Sequence, residues 1–151
     1  MIQFTQSTLA ALDAAYRQTL YEVFSDKGVI QLRVDVKSPP LDQLLQQYQQ
    51  TTWALITACN PYSQPLSALE NRNRNRTLAA DLEKLGLPLL KALGRDETDQ
   101  WPAEESLFIV GLNRVDAVYM GQKFSQNALL YGERGNPPEL LWPFVEGSIA
   151  I

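Results

Sequence analysis

Residues Trp53 to Leu85, WALITACNPYSQPLSALENRNRNRTLAADLEKL, read as a buried strand, a proline-containing turn and one long helix, and the other segments are best understood around them. Thr52 to Ala58 is a nearly continuous apolar run, as expected of a strand covered on both faces. Asn60-Pro61 ends it. Ser67 and Glu70 have capping-box spacing: the serine oxygen accepts from a first-turn N–H and the glutamate reaches back. The helix is therefore expected from about Ser67 to the neighbourhood of Gly86, which suits a C′ position. Leu78, Leu82 and Leu85 share a face by their four-and-three spacing, and the same stripe continues toward the N-terminus through Asn75, Arg74 and Asn71.

The inward stripe is thus leucine at one end and amide plus guanidinium at the other, while Arg72, Asn73, Arg76, Glu83 and Lys84 fall on the solvated face. Inward polar groups need partners or water. A polar patch at a helix start, beside free N–H groups and the positive end of the dipole, suits an anion. Asn60, Ser63 and Ser67 from the preceding turn can face the same point. The competing reading is that these groups only hydrogen-bond to a neighbouring loop and hold the Asn60–Ser63 turn in shape.

Composition narrows the function classes. The 151 residues, 45% apolar and 20% charged, suit one soluble globular domain spanning 1–151. No apolar run reaches about 18 residues and no basic-then-apolar leader opens the sequence, so no membrane association and a cytoplasmic location are expected. The net charge of −4 argues against a nucleic-acid partner. Histidine is absent, which excludes Ser-His-Asp and Cys-His catalytic units and His-containing metal sites. One cysteine, Cys59, excludes an internal disulfide and a multi-cysteine zinc site. No acidic cluster has metal-ligand spacing, and neither a Walker pattern nor G-x-G-x-x-G occurs, so no metal is expected and no cofactor is indicated.

Along the chain, Ser7 to about Tyr16 has helical apolar spacing, with Ser7 as its cap. Thr19–Phe24 and Val29–Val36 alternate around the turn Asp26-Lys27-Gly28 and read as a hairpin, with Ile30, Leu32, Val34 and Val36 on one face. Leu41–Tyr48 is a short amphipathic helix. Leu87–Leu93 is a strand that Pro88 pushes toward an edge or a strand start, Gly94–Pro102 a polar loop, and Ser106–Gly111 a strong strand. Asn113 and Asp116 open a helix through Phe124 that places Val115, Val118, Tyr119 and Gln122 on adjoining positions. Asn127–Gly132 and Glu139–Trp142 are further strands. This order predicts an α+β (mixed α/β) fold with one central sheet, an N-terminal hairpin and helices packed on the sheet. Thr52–Ala58 lies near the middle, and the turn after it falls at the sheet's carboxyl edge, where ligands of open α/β sheets bind.

Several separated segments form one longer pattern: Thr57-Ala58-x-Asn60-Pro61-x-Ser63; Ser67, Asn71, Arg74-Asn75 and Leu78; Trp101-Pro102-x-Glu104-Glu105-Ser106; and Phe124-x-Gln126-Asn127-Ala128. Together they resemble a family of short bacterial proteins known only as a domain of unknown function, over about Tyr16 to Trp142. The resemblance implies that these polar segments belong together, and it implies no activity, substrate or cofactor. It also implies an aromatic residue at position 59, where this chain has Cys59, so it lends no support to a cysteine nucleophile.

In a chain without histidine a carboxylate is the obvious general base, and Glu104 and Glu105 are the candidates. In extended backbone they point to opposite faces, so at most one looks into a given pocket. The alternative is an ion pair with Arg74 or Arg95. Gln126 and Asn127 could read the edge of a planar ring, or simply tie a helix end to the sheet. The functional expectation is a site for a small anionic or nucleotide-like ligand built from Asn60, Ser63, Ser67, Asn71, Arg74, Asn75, Gln126 and Asn127, with Arg74 holding the charge. The alternative is a protein-interaction or regulatory module in which the polar motif is structural and a protein partner meets an apolar patch around Trp142 and Phe144.

Overall fold

The computed structural model describes residues 6–98 and 102–145; Trp101 and the side chain of Ser7 lie outside the described residues. Helix α1 (Gln6–Arg17) leads into strands β1 (Thr19–Ser25) and β2 (Gly28–Leu32), then helix α2 (Pro39–Gln47) and strand β3 (Thr52–Ile56). A 3₁₀ turn (Pro61–Ser63) and helix α3 (Ala68–Glu83) follow, then β4 (Leu89–Asp96), β5 (Glu104–Val110), α4 (Arg114–Lys123), β6 (Leu129–Glu133) and β7 (Glu139–Leu141).

The seven strands form one sheet in the order β2-β1-β4-β5-β3-β6-β7, and every neighbouring pair is antiparallel. Because β5 is antiparallel to both β3 and β4, those two run parallel on either side of it, joined through α3. By the same logic β5 and β6 run parallel on either side of β3, joined through α4. The segment β3-α3-β4-β5-α4-β6 is therefore the split βαβ arrangement of ferredoxin-like folds. The β1–β2 hairpin extends the sheet beyond β4 and β7 extends it beyond β6. This is the α+β architecture expected, with the hairpin at one edge.

Strand alternation divides the core in two. One face collects Ala54, Ile56, Ile109, Leu129 and Tyr131 beneath Leu78 and Leu82 of α3 and Ala117 and Met120 of α4. The other collects Trp53, Leu55, Phe108, Val110 and Leu130 beneath Leu41, Leu44 and Leu45 of α2, with Tyr16 of α1 packed against them. The Trp53 and Phe108 rings stack at 5.2 Å on this second face.

Three local expectations change, and α4 shows which of its positions are buried. The hairpin's second strand ends at Leu32, because Asp35 adopts φ +65° and its N–H donates to Pro138 O at 2.8 Å; Val36 is consequently 54% exposed. β4 begins just after Pro88, as a strand start should, but it is an interior strand and runs on to Asp96, into the expected loop. α3 ends at Glu83, with Gly86 at φ +71°, so Leu85 lies beyond the helix and is 41% exposed. On α4 the buried positions are Ala117, Met120 and Gly121, whereas Val115 and Tyr119 are 77% and 57% exposed. Close approach selects that face: a Cβ on Gly121 would stand 2.3 Å from Pro143 Cγ and 2.8 Å from Leu129 Cδ2.

Candidate functional site

The segment leaving β3 is unusually bent. Asn60, Tyr62 and Ser63 all have positive φ (48°, 54° and 61°), as does Ser125 in the loop after α4. Non-glycine residues in this region cost on the order of 1 kcal/mol each and persist only where surrounding contacts over-determine them. The inward polar stripe of α3 supplies those contacts. Asn71 Oδ1 accepts from Asn60 N and its Nδ2 donates to Asn60 Oδ1, both at 2.8 Å, while Asn60 Oδ1 also accepts from Leu66 N. Asn75 Oδ1 accepts from Ala58 N at 2.8 Å and its Nδ2 donates to Glu105 O at 3.0 Å. Arg74 donates from Nε to Ala58 O and from its terminal nitrogen to Phe124 O, each at 2.6 Å.

The loop after α4 completes the belt. Gln126 Nε2 donates to Cys59 O at 3.0 Å and Phe124 O at 3.2 Å, Asn127 Nδ2 donates to Ser63 Oγ at 2.8 Å, and Tyr62 N donates to Ser125 O at 2.7 Å. Amides suit this work because each offers a donor and an acceptor, so one side chain pairs with the N–H of one peptide and the C=O of another. Ser67 caps α3, accepting from Glu70 N at 3.1 Å and donating to Glu70 Oε1 at 2.9 Å.

Beside this belt lies a cavity of about 810 Å³, bounded by α1, the turn after β3, the first turns of α3 and the sheet end where β4 stops and β1, β5 and β6 begin. Leu12, Leu55, Leu66 and Leu130 give it an apolar lining, and Tyr16 and Tyr21 stand among them. Its carboxylate is Glu104. Alternation along β5 puts Glu104 on the face of Ser106 and Phe108, toward α1, and puts the exposed Glu105 on the opposite face, where its main-chain oxygen accepts from Thr57 Oγ1 at 2.7 Å and from Asn75.

Asn60 Nδ2, at 3.5 Å from Glu104 Oε2, is the only hydrogen-bond donor to the Glu104 carboxylate among the described residues. Burial pushes the Glu104 carboxyl above the ordinary glutamate range, and the Asn60 amide offsets this only in part. Burial, reinforced by the nearby Glu104 charge, also raises the phenols of Tyr16 and Tyr21, so both stay neutral; Tyr16 hydrogen-bonds Ser63 and the Ala128 backbone. The Cys59 thiol is likewise raised by burial and is engaged with Asn75 Nδ2 at 3.3 Å, the environment of an inert thiol rather than a reactive one.

Of the residues singled out from sequence, Asn60, Ser63, Asn71, Asn75, Gln126, Glu104 and Glu105 border the cavity, whereas Ser67, Arg74 and Asn127 do not. Neither glutamate pairs with the arginines considered: Arg74 is held by carbonyls, and Arg95 lies 3.1 Å from Glu22. Arg72, exposed on α3, is the cation at the cavity's margin. Tyr16 and Tyr21 escape sequence reading because each fits an apolar period of its own helix or strand. The hydroxyl that makes them useful carries no sequence signal.

Among the described residues no three His, Cys, Asp or Glu side chains are grouped to hold a metal ion, and no helix is long and apolar enough to cross a membrane. Residues 56–129, just under half of the chain, match the family model described as "Protein of unknown function (DUF3293)". The match begins at the end of β3 and stops at the start of β6, so it contains α3, β4, β5, α4 and both loops of the polar belt. No curated protein and no solved structure matches the chain.

Proposed function

We propose that this protein binds a small organic ligand in the cavity between α1 and the start of α3. The observation that carries the reading is the cavity itself: about 810 Å³, mostly apolar walls, and the Glu104 carboxylate, which has a single long hydrogen bond among the described residues. Ligand sites have that size and makeup, with a few placed polar groups in an otherwise apolar cleft. The anionic or nucleotide-like ligand expected at the start of α3 was to have its charge held by Arg74, and that guanidinium is engaged by two backbone carbonyls outside the cavity. Glu104, with the capacity its one Asn60 contact leaves open, carries the polar recognition in its place.

Glu104 is also the candidate general base should the bound molecule react. The competing reading, a protein-interaction module, draws its support from α4, where Val115 and Tyr119 are exposed one turn apart. The patch expected around Trp142 and Phe144 is partly covered: Trp142 packs edge-on against Tyr16 at 5.9 Å, and Phe144 lies 5.6 Å from Tyr62.

A fragment screen read by amide chemical shifts separates the two. Hits that perturb residues 57–71, 104–106 and 126–130 are the expected result. A screen whose only perturbations lie on the outer face of α4, or which perturbs nothing, rules the cavity reading out.

A further inference from the structure

Charge inside the cavity is one-sided. The ionisable side chains lining it are Tyr16 from α1, Tyr21 from β1, Cys59 from the loop, Arg72 from α3, and Glu104 and Glu105 from β5. Of these only Arg72 is cationic, and it is exposed on the helix surface; Glu105 is exposed on the far face of β5. Tyr16, Tyr21 and Cys59 can contribute only negative charge, and burial keeps each neutral. What remains inside is a single partly buried carboxylate without a cationic partner among the described residues, since the arginines considered as its partners are committed to Ala58 and Phe124 carbonyls and to Glu22.

A carboxylate withdrawn from water without a counter-charge or full hydrogen bonding is unfavourable, and a cation brought to it restores the balance. We infer that the ligand is an organic ammonium, its charged nitrogen seated against the Glu104 carboxylate and its hydrocarbon body among Leu12, Leu55, Leu66 and Leu130. This rests on the cavity being a ligand site and adds the chemical class of the ligand. Three features fit that class. An ammonium offers several donors, matching the acceptor capacity that one long contact from Asn60 leaves open. Two neutral phenols nearby supply hydroxyl acceptors and ring faces that favour cations. The volume greatly exceeds that of an ammonium group alone, so the site suits a molecule with an apolar body rather than a simple ion.

The test uses three probes of one shape and different charge, 2-phenylethylammonium, 2-phenylethanol and phenylacetate, titrated at neutral pH into the full chain while amide shifts are followed. The wild type is compared with Glu104→Gln and Glu104→Asp. The expected order is ammonium, then alcohol, then phenylacetate, with the ammonium favoured over the alcohol by about tenfold or more. Glu104→Gln should lose that preference without weakening the alcohol, and Glu104→Asp should retain part of it. Alcohol or phenylacetate binding in the cavity as tightly as the ammonium overturns the inference and leaves the cavity reading standing, as does an ammonium preference that survives Glu104→Gln. If no probe perturbs cavity residues, the inference and the cavity reading fail together.

Discussion

The first turns of α3 and the floor of the cavity adjoin each other and are both rich in polar groups, but those groups are in opposite states. On α3, Asn71, Arg74 and Asn75 are each hydrogen-bonded at 3.0 Å or less to the backbone or side chain of a strained loop. On the cavity floor, Glu104 has one donor among the described residues, at 3.5 Å. A polar side chain turned inward is therefore not evidence of a site by itself. What separates scaffold from candidate site is how much hydrogen-bonding capacity is left after the fold has been satisfied.

The two ends of the α3 stripe offer the most forceful way to break this comparison. Leu82→Ala, in the fully buried apolar half, should destabilise by about 2–5 kcal/mol through lost transfer energy and a residual cavity. Arg74→Ala, in the polar half, should follow at about 3 kcal/mol, because it removes two charge-assisted bonds and leaves the Ala58 carbonyl without its donor. Urea denaturation measures both. An Arg74→Ala loss below about 0.5 kcal/mol, the scale of a surface substitution, would contradict a structural role for that guanidinium.

A smaller effect, of opposite sign, is expected on the cavity floor. The folded-state pKa of Glu104 is raised, so folding favours its protonated form. The stability tied to that proton is complete below the ordinary glutamate range and is lost as pH rises through the raised value. Glu104→Gln cannot ionise, so relative to wild type it should become more stable as pH rises across that window. Denaturant midpoints of both proteins from about pH 4 to about pH 8 read this directly, and parallel profiles would show that the carboxylate is adequately partnered in the free protein.

What could be read in the sequence follows from how local each signal is. The Ser67–Glu70 capping box, the β1–β2 hairpin and the apolar run of β3 are each set by a few consecutive residues, and each forms in its expected place, although β2 stops at Leu32 and β3 at Ile56, short of the expected Val36 and Ala58. The interior place of β4 and the extension of β5 back to Glu104 are set by the pairing Gly94↔Glu104 through Leu89↔Ile109, which links residues that no local pattern connects. The buried face of α4 carries no apolar spacing for a related reason: the small residues Ala117 and Gly121 are selected by the closeness of Pro143 and Leu129, not by hydropathy. At the candidate site, the polar residue types were legible as a group. Which were held by the backbone and which still faced open space was not, because Arg74 is fixed by a carbonyl fifty residues away.

The measurement that tests the account most directly is a carbon-detected NMR titration of the Glu104 side-chain carboxyl, in the free protein and in the presence of 2-phenylethylammonium. The expected result is a free carboxyl that titrates above the ordinary glutamate range and is drawn down when the ammonium binds. A carboxyl that titrates in the ordinary range and does not respond to the probe would mean that Glu104 is already satisfied within the fold, like the amides beside it.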